Sequence, residues 1–234
     1  MRRLVLIAGL FLFGGLPAGS AAADDNQNLA ALCAGPDANR AISACTDLLN
    51  AEGQASAEKA GVFTWRAMAY LKAGHTFYAM SDCDSAIELK PDAADAFRVR
   101  GQVQSAIGDD ARAIADFTKA ISLNPTSAEA FKGRADAYAR KGDNDHALGD
   151  YTRAIGLKRE FPEALNNRAN IYVQEGRSDN ALGDYEDALA INPDLAVAYN
   201  GLGAVYTLKH DEARAIAEYR ASFKIRGAAE FLRA

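Results

Sequence analysis

Residues 128–161 read AEAFKGRADAYARKGDNDHALGDYTRAIGLKREF, and residues 162–195 read PEALNNRANIYVQEGRSDNALGDYEDALAINPDL. Set one above the other, they share alanine at the eighth, twentieth and twenty-seventh positions. They also share tyrosine at the eleventh and twenty-fourth and glycine at the fifteenth. The period continues in both directions without insertion, giving five units of 34 residues: 60–93, 94–127, 128–161, 162–195 and 196–229. The eighth position holds Ala67, Gly101, Ala135, Ala169 and Gly203, and the twentieth holds Ala79, Ala113, Ala147, Ala181 and Ala215. The twenty-fourth reads Cys83, Phe117, Tyr151, Tyr185 and Tyr219. A fixed period of this length signals stacked supersecondary units that bury a continuous core between neighbours.

Inside a unit the apolar residues recur at helical spacing, as in Ala113, Ile114, Phe117, Ala120 and Ile121. Small residues at the eighth and twentieth positions let two helices approach, and the aromatics fill the space beside that contact. Gly74, Gly108, Gly142 and Gly176 stand where the first helix must stop in a left-handed turn, and His210 stands there in the last unit. Asn124-Pro125 and Asn192-Pro193 end the second helix. The third unit has Lys158-Arg159 instead, with Pro162 three residues on, so this junction is expected to run longer. Alanine is abundant and only seven valines occur among 234 residues, which argues against a sandwich or barrel and favours an all-helical chain. The expected architecture is all-α: a right-handed solenoid of stacked antiparallel helix pairs.

These residues make the chain resemble the tetratricopeptide repeat (TPR) proteins. Gln104 and Cys83 depart from the family's aromatics, and Phe63, Phe97, Phe131, Leu165 and Tyr199 stand where the family has tryptophan. Residues 24–59 read as an atypical capping hairpin, since Ala41-Ile42-Ser43-Ala44-Cys45-Thr46 parallels Ala113 to Thr118. Residues 230–234 form a short tail that covers the last unit poorly.

The first 23 residues read as an address. Met1-Arg2-Arg3 is basic, Leu4 to Leu16 is an apolar run of 13 residues, and Ala21-Ala22-Ala23 offers small residues for cleavage. A secretory signal has this layout, and a membrane-spanning helix needs about 20 apolar residues. Export to the periplasm or the extracellular space is expected, with no membrane insertion once the signal is removed. Removing Arg2 and Arg3 takes the net charge from −5 to −7. An acidic chain without a basic block has no footprint for nucleic acid.

Cys33 and Cys45 face each other across the cap hairpin. They either bridge or pack as free thiols, while Cys83 sits in the core pattern. Arg66, Arg100, Arg134 and Arg168 recur at the seventh position, and Asp82, Asp116, Asp150 and Asp184 at the twenty-third. This pattern suits a bridge between the first and second helices rather than a ladder for an acidic ligand. His75, His146 and His210 have no metal-ligand spacing, and no paired carboxylates, phosphate loop or nucleophile elbow appears. No catalysis, cofactor or metal is expected.

The resemblance implies that the first helix of each unit lines a concave groove, through its second, fifth, sixth, ninth, twelfth and thirteenth positions. On this chain those positions include Lys72, Arg98, Lys132 and Arg140 against Asp95, Glu129, Asp136 and Glu163, so the charges cancel. The middle is rich in amides: Asn166, Asn167, Asn170, Gln174 and Asn200. Amides can pair with the main chain of an extended peptide, or they can form a solvated surface. Trp65 and Met68 lie beside the groove, as an aromatic anchor or as packing against the cap. The expected function is a non-catalytic scaffold of the cell envelope that binds a protein or peptide segment. The alternative is a self-assembling component that stacks through its thinly covered C-terminal end as a homo-oligomer.

Overall fold

The computed structural model describes residues 28–51 and 55–231. The export segment, residues 1–23, lies outside the described residues. Helix α1 (28–33) and α2 (Ala38–Asn50) form the cap. Five pairs follow: α3 (Ser56–Lys72) with α4 (Thr76–Leu89), α5 (Ala94–Ala106) with α6 (Asp110–Leu123), α7 (Ala128–Arg140) with α8 (Asn144–Leu157), α9 (Pro162–Gln174) with α10 (Ser178–Ile191), and α11 (Ala196–Leu208) with α12 (Glu212–Phe231). Each second helix also packs on the next first helix, and successive first helices lie side by side. The described residues contain no strand, and the arrangement is the expected right-handed solenoid.

The turn inside each pair follows from one residue. Gly74, Gly108, Gly142 and Gly176 have φ between 73° and 82°, and His210 has φ 57°. The left-handed residue lets the next N–H reach back five residues. His75 donates to the carbonyl of Tyr70, Asp109 to Gln104, Asp143 to Tyr138, Arg177 to Tyr172 and Asp211 to Tyr206, at 2.8–3.0 Å. Asp109, Asp143 and Asp211 then cap the second helix through their carboxylates. The junction at Lys158 does not run longer than the others. Helix α8 ends at Leu157, as α6 ends at Leu123, and Pro162 serves as the first residue of α9. Proline suits that position because the missing N–H has no helical partner there.

The small twentieth residue is buried in all five pairs, and Phe117, Tyr151 and Tyr185 are buried beside it. The recurring arginines bind across each pair. Arg134 donates from Nε and Nη2 to the two oxygens of Asp150 at 2.7 and 2.9 Å, and Arg66, Arg100 and Arg168 repeat this on Asp82, Asp116 and Asp184. The remaining arm, Nη1, reaches the preceding second helix: Thr46, Asp84, Thr118 and Thr152 in turn. Each guanidinium therefore ties three helices. The ladder stops at the fifth pair, where Leu202 replaces arginine. There burial, with Glu186 close by, pushes the Glu218 carboxyl above its usual range.

Cys33 and Cys45 are bridged, which closes the cap hairpin over α3. Cys83 is buried, and burial pushes its thiol up to about 12, so almost no thiolate forms at neutral pH.

Candidate binding groove

The side-by-side first helices α3, α5, α7, α9 and α11 present one face, and its floor is set by the aromatics of the second helices. Tyr151 and Tyr185 pass between neighbouring first helices. Their hydroxyls donate to Asp136 Oδ1 at 2.5 Å and to Asn170 Oδ1 at 2.6 Å. Burial raises both phenols, Tyr185 to about 12, so they stay protonated as donors.

The sixth residue of the following unit is where two of these rings meet the next first helix. At Gly133 a β-carbon would sit 2.5 Å from Phe117 Cζ, and at Gly201 it would come closer still to the Tyr185 ring. Both positions exclude any side chain, so each ring packs directly on the backbone of the following first helix and is buried there. Two cavities adjoin these contacts. One, of about 350 Å³, has Phe117 and Phe161 in its wall, with Gln102, Ser105, Glu129 and Lys132 around it. The other, of about 510 Å³, has Tyr185 in its wall, with Asn166, Asn170, Gln174, Val197 and Asn200 around it. Between them Asn167 takes the sixth position, and its Nδ2 donates to Asp136 at 3.0 Å.

Gly201→Ala is expected to lose about 2 kcal/mol of stability, because the added methyl overlaps a buried ring. Adding Tyr185→Leu should recover most of the loss in urea unfolding. No recovery would mean that the ring is not the obstacle.

Several groove residues read from the sequence are already engaged within the chain. Lys72 donates to the Pro36 carbonyl at 2.6 Å, tying α3 to the cap turn. Arg98 pairs with Asp95, Lys132 with Asp136, and Arg140 with Asp110 of the preceding pair. Glu129 is held by Lys158, whose charge draws its carboxyl below the usual range despite the opposing effect of burial. The groove thus carries paired charges and little net field. Trp65 is 37% exposed, and the Met68 sulfur lies 3.9 Å from Arg98 Nη2. Asn166 is only 6% exposed. Its Nδ2 donates to Asn167, while its Oδ1 has no partner among the described residues. Gln174 and Asn200 line the second cavity. Sequence reasoning missed Gln102, Ser105, Val197 and both glycines. The available signal was glycine in a helix interior, which is disfavoured unless something approaches closely.

The described residues contain no cluster able to hold a metal ion, and no described helix is long and apolar enough to cross a membrane. A model described as tetratricopeptide repeat matches residues 100–164, and one described as TPR repeat matches 169–209. No curated protein matches the sequence. Among solved structures, TTC0263, a thermophilic TPR protein of Thermus thermophilus, is 22% identical with a TM-score of 0.64. The match covers 78% of this chain and 98% of that one. YrrB, described as a TPR protein with an unusual peptide-binding site, is 22% identical with a TM-score of 0.58, covering 72% and 87%. MamA of Desulfovibrio magneticus RS-1, from its residue 41 to the end, is 16% identical with a TM-score of 0.64, covering 76% and 98%. Likeness at this level of identity establishes fold alone. The chain therefore carries tetratricopeptide repeats, and it has the fold of the TPR solenoid proteins.

Proposed function

We propose that this protein is an exported, non-catalytic interaction module that holds an extended segment of a partner protein along its first helices. The supporting observation is the pair of cavities that border glycine at the same position of two units. Neighbouring first helices pack roughly 10 Å apart, so cavities two units apart lie roughly 20 Å apart. An extended chain spans that distance in about six residues. The cavity walls suit two apolar side chains of such a segment, and the amides suit its main chain. Gln174 and Asn200, in the wall of the second cavity, offer amide donors and acceptors to that main chain. The YrrB likeness fits a peptide as the occupant. The export reading rests on the basic start, the apolar run and Ala21-Ala22-Ala23, and implies a mature protein from the cell envelope that begins at Asp24.

Selection of a random dodecamer display library on the immobilised protein tests the groove. Enriched sequences should carry apolar residues about six apart. Asn200→Trp, which fills the second cavity, should weaken their binding at least tenfold. Ser85→Trp, on the second helix α4, should leave binding unchanged. Equal binding by both variants would reject the groove.

A further inference from the structure

The outer face of α12, beside the Tyr219 ring that packs on Gly203 of α11, breaks the repeat's own rule. In the inner units the twenty-first and twenty-eighth residues, among them Ile114, Leu148, Ile121 and Ile155, are half-buried against the next unit. In α12 the same positions are Ile216, 51% exposed, and Phe223, 80% exposed, with Tyr219 at 43% between them. Buried aromatics occupy the Tyr219 position in every unit from the second to the fourth. Helix α12 is also longer than the other second helices, 20 residues against 13 or 14, which makes it about 30 Å long.

Glu212, Ile216, Tyr219, Phe223 and Arg226 follow one another at steps of four and three, so they form a single stripe along the helix. All five are exposed. The stripe is apolar in the middle, acidic at its N-terminal end and basic at its C-terminal end. That pattern is self-complementary only when two copies run antiparallel.

We propose that a second copy of this chain covers the stripe, α12 against α12, about a two-fold axis at Tyr219. The axis sets Tyr219 against Tyr219 of the partner subunit and Ile216 against Phe223 of the partner subunit. Glu212 then faces Arg226 of the partner subunit, and the symmetry makes every contact twice. The steps of four and three are those of a two-helix seam. Such an interface is closed, so assembly stops at two copies and leaves the groove on the first helices open. A parallel pairing would place Glu212 against Glu212 and Arg226 against Arg226.

Sedimentation of the purified protein over a range of concentrations tests this, with circular dichroism confirming unchanged helix content. The wild type should pass from monomer to dimer. Phe223→Asp should weaken the dimer at least 100-fold, since each dimer receives two buried charges. Glu212→Arg should weaken it about tenfold by setting like charges face to face, and Glu212→Arg with Arg226→Glu should return it to within about threefold of the wild type. A strict monomer at every concentration would overturn the proposal. So would species that grow beyond two, a dimer indifferent to Phe223→Asp, or a charge swap that fails to restore pairing.

Discussion

Replacing Arg134 with methionine is expected to lower the free energy of unfolding by about 3 kcal/mol. Asp150 is only 8% exposed, and both of its oxygens accept from this one guanidinium. Methionine preserves most of the aliphatic stem against Phe131 but leaves a carboxylate in a nearly closed space with no cation. Breaking a buried pair in this way costs about 3–5 kcal/mol, and the partly exposed Arg134 side chain places this pair at the lower end. The loss also cuts the arm from Nη1 to Thr118, so two neighbouring units come apart at one rung. Adding Asp150→Asn should recover about half, because an amide is far less costly to bury than a charge. Urea unfolding of the two variants measures both effects. A loss below about 1 kcal/mol for Arg134→Met would place the rung among solvated surface pairs instead.

The second large effect is expected at the cap. Serine at both Cys33 and Cys45 should destabilise the hairpin by about 3 kcal/mol, the chain-entropy estimate for a loop of about this length. In a stacked array each unit contacts only its neighbours, so the loss should stay local. Amide exchange in α2 and the first turns of α3 should accelerate, and exchange in α7 to α10 should not. Reducing agent should reproduce the result in the wild type, because Cys83 is buried and takes no part. Unchanged exchange in α2 would show that packing of Leu48 and Val62 closes the cap without the bridge.

The residues explain why some features were legible before any coordinates. The 34-residue period was readable because each position is sampled five times, and Ala79, Ala113, Ala147, Ala181 and Ala215 agree in all five. The Arg–Asp pairing was readable because two charge types recur in step. The third arm was not, since Thr46, Asp84, Thr118 and Thr152 acquire meaning only when the preceding second helix is alongside. The Lys72 contact with Pro36 spans 36 residues and depends on how the cap folds back. The cavities were hidden for another reason: they border Gly133 and Gly201, where a ring packs on bare backbone, and apolar periodicity registers only the side chains that are present. Pro162 misled because a proline near a junction reads as a delay, whereas here it begins the helix.

Amide chemical-shift mapping with a library-selected peptide tests the central claim most directly. The peptide is added to isotope-labelled protein, and perturbed residues are assigned to helices. Perturbations should concentrate on α5, α7, α9 and α11 around Gln102, Gly133, Asn170 and Asn200, and leave α6, α8 and α10 still apart from Phe117 and Tyr185. Perturbations confined to the second helices or to the cap would contradict a groove built on the first helices.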